Sequence, residues 1–236
     1  AFGRYLARSV VEGLLEHPEG LRLGGNLRDV SVMFADLSGF TALSNRTEPG
    51  ELVALTNQYL AIIADEVDGS GGYVDKFIGD AVMAIWGAPA PGEGNALNIC
   101  AKIDAAGREA ELRGAPSFGI KVGIHSGQAI VGNVGSARRY NYTAVGETVN
   151  IAARLEGLPG VYGCSLLVGP TTEEAVRGKF LLREIDAVAV KGGAEPLTVY
   201  EPVTPLDEAT AGKRTWWCDM PRLWATIVPG DSNRRR

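Results

Sequence analysis

The period of hydrophobic and polar positions changes several times along the chain, and each change marks a predicted element. Val30, Val32 and Phe34 alternate with Ser31, Met33 and Ala35 as in a half-buried strand, which ends at Asp36. Leu52, Leu55, Tyr59, Ile62 and Ile63 then recur at helical spacing, with Thr47 as predicted N-cap, Pro49 in the first turn and Gly69 at the end. Residues 73–78 and 81–86 read as two short strands joined by Gly79-Asp80, a pair suited to a two-residue hairpin turn. A second helix is predicted over 94–113, with Ala96, Ile99, Ile103, Ala106 and Ala110 inward, and Ile120, Val122 and Ile124 alternate in the strand after it.

This β-α-β-β-α-β order predicts an α+β fold, a ferredoxin-like core sandwich in which helices cover one face of a mostly antiparallel sheet. Further elements are expected beyond it: a strand at 128–134, a polar excursion over 135–141, a helix over 148–157, and terminal strands near 181–190 and 197–202. No internal repeat is evident. Three parts follow: an N-terminal linker and opening helix over 1–27, marked by Val10, Val11, Leu14 and Leu15; one folded unit over 28–203; and an extension of unknown role over 204–236. The extension carries Trp216, Trp217, Leu223, Trp224 and Ile227 and ends in Arg234-Arg235-Arg236, so a segment docked on the domain or on a partner is the alternative to a free tail.

Composition narrows the chemistry. A net charge of -5 gives no basic field of the kind that recruits nucleic acid by counterion release. Three cysteines without C-x-x-C spacing fit a reducing compartment, and two histidines make a zinc site a poor expectation; oxygen ligands with Mg²⁺ or Mn²⁺ fit better. Neither a membrane span nor a signal peptide is visible, so a cytoplasmic location is expected. The chain opens at Ala1 without a methionine, and an upstream sensory or membrane region is expected in a longer parent, which would be membrane-anchored in the second case.

Asp36 and Asp80 each end a strand in a glycine-bearing turn, a placement that can hold a pair of divalent cations against a nucleoside triphosphate; a plain turn role for both is the alternative. The amides of Ser38, Gly39, Phe40 and Thr41 can form an anion nest, or an ordinary strand-to-helix turn. Asn150 and Arg154 lie four apart and project from one helix face, where Glu147 or Glu156 could instead pair with the arginine. His125 follows a strand and reads as structural.

The ordered set Phe34-Ala35-Asp36-Leu37-Ser38-Gly39-Phe40-Thr41, Lys76-Phe77-Ile78-Gly79-Asp80, Gly123-Ile124-His125-Ser126-Gly127, Tyr142-Thr143-Ala144-Val145-Gly146, Val149-Asn150-Ile151-Ala152-Ala153-Arg154-Leu155 and Val190-Lys191-Gly192 resembles the class III nucleotidyl cyclase catalytic domain across residues 28–203. The resemblance implies that fold, and attack of a ribose 3′-hydroxyl on the α-phosphorus with loss of pyrophosphate. It implies two Mg²⁺ or Mn²⁺ ions on Asp36, Asp80 and the Leu37 carbonyl, Lys191 on the terminal phosphates, Asn150 on the ribose, and Arg154 on charge that develops during attack. Lys76 and Thr143 fall where the family reads the purine; a lysine donor and a hydroxyl acceptor favour ATP over GTP. Threonine departs from the commoner aspartate and resembles a class IIIb-like subgroup described as responsive to bicarbonate, an expected regulator. Sites shared within a homodimer are implied, with the 135–140 excursion resembling an arm that reaches the partner. A guanylyl cyclase, disfavoured by Lys76, and a non-catalytic nucleotide-binding regulatory homologue, disfavoured by the intact residue set, are the alternatives.

Overall fold

The computed structural model describes residue 10 and residues 23–89, 99–136, 138–189 and 196–206. In chain order these form β1 (Gly24–Ser38), α1 (Phe40–Ser44), α2 (Pro49–Gly69), β2 (Tyr73–Ile78), β3 (Ala81–Trp86), α3 (Ile99–Leu112), β4 (Gly119–Ser136), β5 (Arg139–Val145), α4 (Glu147–Glu156), α5 (Pro159–Tyr162), β6 (Leu166–Val168), α6 (Pro170–Val176), β7 (Phe180–Val188) and β8 (Leu197–Pro205). The sheet is eight-stranded, ordered β2-β3-β1-β4-β6-β8-β7 with β5 added on β4, and among the described strands the β4–β6 pairing is parallel while the others are antiparallel. The α+β expectation holds. No helix among the described residues is long and apolar enough to cross a membrane.

Strand β1 is central, and it is buried on both faces instead of one. Met33, Ala35 and Leu37 pack with Tyr59, Ile63 and Val67 of α2 and Ile99 and Ile103 of α3. Val30 and Val32 pack on the opposite side with Tyr73, Met83, Ile85, Ala129, Val131, Ala144 and Ala152. Each such fully buried aliphatic side chain contributes about 1.5–3 kcal/mol relative to exposure, so a strand apolar on both sides anchors two cores at once. The two helices of the β-α-β-β-α-β order, α2 and α3, thus share one face as expected, and α4, which lies beyond that order, covers the other: Val122 and Ile124 belong to the first core, while a Cβ on Gly123 between them would meet the backbone of α4.

Two further differences have local causes. Glu48, not Thr47, caps α2, its carboxylate accepting from the amides of Gly50 (2.7 Å) and Glu51 (3.2 Å). The strands expected at 120–124 and 128–134 are one strand, β4, which runs unbroken through Gly127 opposite Val30. Gly127 is required by close approach and not by a turn, since a Cβ there would lie 2.8 Å from Thr148 Oγ1. The polar excursion is the tip of a β4–β5 hairpin in which Ser136 pairs with Arg139. The same hairpin curls back over the sheet, bringing Tyr142 of β5 to 6.3 Å, centroid to centroid, from Tyr73 of β2. Most of the opening helix, residues 94–98 of the second helix, Lys191 and the extension from 207 lie outside the described residues; Val10 is helical and buried in the second core.

Candidate active site

The hairpin register places the two aspartates side by side. Ile78 pairs with Ala81, which leaves Gly79-Asp80 as a two-residue connection, and Gly79 has φ +67°, the left-handed backbone that such a turn needs at its first residue. Ala81 in turn pairs with Asp36 on β1, so Asp36 and Asp80 lie side by side, close enough for each charge to act on the other. Burial, then the Asp80 charge, raises the Asp36 pKa, with Lys121, directly across on β4, and the Leu37 amide opposing. Glu156, at the end of α4, is raised as well, first by burial and then by Asp36. Two carboxylates crowded together call for a countercharge. Among the described residues no group of three or more His, Cys, Asp or Glu converges on a metal position. The two carboxylates are of the kind that could hold a divalent cation such as Mg²⁺ or Mn²⁺, which binds through one or two carboxylates plus substrate phosphates. Leu37, the expected carbonyl ligand, adjoins Asp36 with its side chain in the core.

Immediately after β1, Gly39 turns the chain into α1 with φ +88°. The first helical amides, at Phe40 and Thr41, have no partner within the helix by its geometry, so the Ser38–Thr41 segment presents N–H groups beside the carboxylate pair. The Phe40 ring, packed 6.0 Å from Phe118, anchors the turn to the core.

A second cluster forms at the curl of the sheet. Lys76 Nζ donates to Thr143 Oγ1 at 3.3 Å across 67 positions of sequence. The two share a residue that sequence reasoning missed: Thr143 donates to Asp75 Oδ2 at 2.8 Å, and Lys76 pairs with the same oxygen at 3.0 Å. Burial raises the Asp75 pKa, against the Thr143 and Lys76 contacts. The available signal was an acid next to Lys76 in a strand whose other residues are Tyr73, Val74, Phe77 and Ile78, where a buried carboxylate demands a polar partner.

Asn150 and Arg154 do share the outer, exposed face of α4. Neither Glu147 nor Glu156 pairs with the arginine; among the described residues no ion pair takes it up. Within one chain, then, the structure joins Asp36 to Asp80 and Lys76 to Thr143, and leaves Asn150 and Arg154 facing outward. Lys191 lies outside the described residues.

His125 is 6% exposed, its Nδ1 has no partner, and its ring fills the space over Gly169. Burial pushes its pKa down to about 4, so it is neutral at pH 7 and too enclosed to serve as a base. The unfolded chain takes up this proton near pH 6.5 while the folded one refuses it until about 4. The His125 contribution is therefore complete above pH 6.5 and falls as pH drops, by about 2 kcal/mol at pH 5. Urea unfolding at pH 7 and pH 5 should show wild type losing that much more than His125→Gln. Carboxylates with raised pKa pull the other way in both proteins, so the difference is the readout; identical pH dependence would eliminate His125 as the cause.

The profile of the adenylate and guanylate cyclase catalytic domain matches residues 25–201. An adenylate cyclase of Anabaena cylindrica is 35% identical over 201 residues, 78% of this chain and 38% of that protein. The crystal structure of the adenylyl cyclase CyaB from P. aeruginosa is similar with a TM-score of 0.71 at 28% identity, covering 80% of this chain and 100% of that one. The guanylyl cyclase Cya2 is similar with a TM-score of 0.69 at 25% identity, covering 80% of this chain and 98% of that one. The chain spans well under half the length of the curated relatives named first. Since the matched span runs from the first residues of β1 into β8 and takes in both clusters, the chain belongs to the adenylate and guanylate cyclase catalytic domain family.

Proposed function

We propose that this chain is an adenylyl cyclase catalytic domain that converts ATP to 3′,5′-cyclic AMP and pyrophosphate at sites shared by two copies of itself. The observation that carries the reading is the Lys76–Thr143 contact, a donor and an acceptor set side by side as adenine requires. Asp36 and Asp80 would hold two Mg²⁺ or Mn²⁺ ions, with the Leu37 carbonyl as a further ligand. The chemistry those ions supply when bound is acidification of the 3′-hydroxyl and neutralisation of triphosphate charge. Ser38, Gly39, Phe40 and Thr41 bind phosphate oxygens through their amides, and Lys191 meets the terminal phosphates. Lys76 donates to adenine N1 while Thr143 accepts from the 6-amino group. Asn150 orients the ribose, and the Arg154 guanidinium meets charge growing on the α-phosphate as the 3′-oxygen bond forms and the bond to pyrophosphate breaks. The 3′-proton passes to water or substrate, because His125 is buried and neutral.

Sharing between two copies is supported by the outward-facing Asn150 and Arg154, the arginine in no ion pair among the described residues, and by an exposed apolar row. Leu27 (60% exposed) pairs with Ile130 (39%), and Ile130 with Val145 (41%), across three adjacent strands near the arm. Bicarbonate enters as a proposed regulator on the strength of Thr143 alone. A guanylyl cyclase would need an acceptor where Lys76 stands, and a purely regulatory homologue would have no use for the full residue set.

Purified protein with Mn²⁺ and either ATP or GTP, with and without bicarbonate, is expected to yield cyclic AMP and pyrophosphate, with specific activity rising with protein concentration. Cyclic GMP as the main product would overturn the purine assignment, and no product at any concentration with ATP bound would favour the regulatory reading.

A further inference from the structure

We propose that Asp75 is a positioning residue that selects adenine by taking the hydroxyl proton of Thr143, so that the threonine meets the base only as an acceptor. The inference rests on the ATP reading above and deepens it. A threonine hydroxyl is ordinarily ambivalent, one proton and two lone pairs free to rotate, and would serve a 6-amino or a 6-oxo group equally. Here the proton is committed. Thr143 Oγ1 donates to Asp75 Oδ2 at 2.8 Å, and an ionised carboxylate can only accept. Lys76 pairs with that carboxylate from 3.0 Å and spends a second donor on Thr143 Oγ1 at 3.3 Å. What remains for a purine is one lone pair on Thr143 beside the ammonium donor of Lys76. Adenine, with N1 accepting and its 6-amino group donating, complements both. Guanine reverses both: its N1–H meets the ammonium and its O6 meets the lone pair.

The geometry that permits this is built into β2. Adjacent strand residues normally point to opposite faces, yet Asp75 and Lys76 reach one another because the β2–β3 register slips between Val74 and Lys76, leaving Asp75 as the bulged residue. The Asp75 side chain is completely buried and its Oδ1 has no hydrogen-bond partner among the described residues, an arrangement that costs stability and has a use at Thr143. Because the carboxylate cannot turn to solvent, the hydroxyl cannot recover its proton for guanine.

The test is kcat/KM for ATP and GTP in wild type, Asp75→Asn, Thr143→Val and the double variant. Asp75→Asn returns a donor to the site and is expected to lower the ATP-to-GTP ratio by about 10- to 100-fold, whereas adding it to Thr143→Val should change the ratio less than about twofold. An unchanged ratio in Asp75→Asn, or an equal change in both backgrounds, overturns the proposal. Should Asp75→Asn fail to fold, wild type with the 6-methoxypurine ribonucleoside triphosphate decides: N1 still accepts, but the 6-position offers no donor, and a loss of about tenfold or more against ATP is expected. Use equal to ATP overturns the acceptor-only hydroxyl. A wild type that prefers GTP would sink the ATP reading itself, while an ATP preference that survives Asp75→Asn would sink only the role of Asp75.

Discussion

Asp36→Ala and Arg154→Ala chains, each expected to lose roughly 10²- to 10³-fold in cyclic AMP production alone, should recover about a quarter of wild-type activity when mixed in equal amounts and allowed to exchange. The two losses have different origins. Asp36→Ala removes half of the carboxylate pair, whereas Arg154→Ala removes a guanidinium on the exposed face of α4 that no ion pair takes up among the described residues. If a site takes aspartates from one copy and Arg154 from the other, a mixed dimer holds one doubly damaged site and one intact site. Half of the dimers are mixed at equal input, and each keeps one site of two. Activity that stays at background after exchange has been verified, for instance with two affinity tags, would show that each chain completes its own site.

Gly123→Ala is expected to destabilise the fold by about 3 kcal/mol and to lower activity by about 10²-fold, although the residue touches no substrate. The added Cβ would lie 2.2 Å from Glu156 N, 2.5 Å from Ala152 O and 2.7 Å from Leu155 C. All three are backbone atoms of α4, so no rotamer change relieves the clash and the helix itself must shift. Asn150 and Arg154 shift with it. Gly119→Ala on the same strand is the control, because its nearest neighbour, Ser38 Cβ, is 3.4 Å away. Urea midpoints that match for the two variants would show that α4 tolerates displacement.

Legibility in the sequence tracked how local each constraint is. β2 and β3 were read to the residue, because two apolar runs flank a turn pair whose conformation is settled by neighbours in sequence. β1 was read too short, and β4 as two strands, for the opposite reason. The outer half of β1 carries Gly25, which looks like a loop residue but sits opposite Gly132, where a Cβ on either would meet backbone at 2.7 or 2.2 Å. Only the pairing reveals that need. The aspartate pair, Lys76 and Thr143 were visible through the family pattern, yet Asp75 was not, since its part depends on a bulge and on a residue 68 positions away.

The curl of the sheet has a consequence of its own. In the order β2-β3-β1-β4-β5, Lys76 and Thr143 sit on strands four steps apart, about 19 Å if the sheet lay flat, yet their side chains meet. They act as the clasp of an unfinished barrel. That clasp ties the two outer strands of the β2-β3-β1-β4-β5 run to one another, so β1 and β4 between them are held curved by a side-chain contact that neither strand makes.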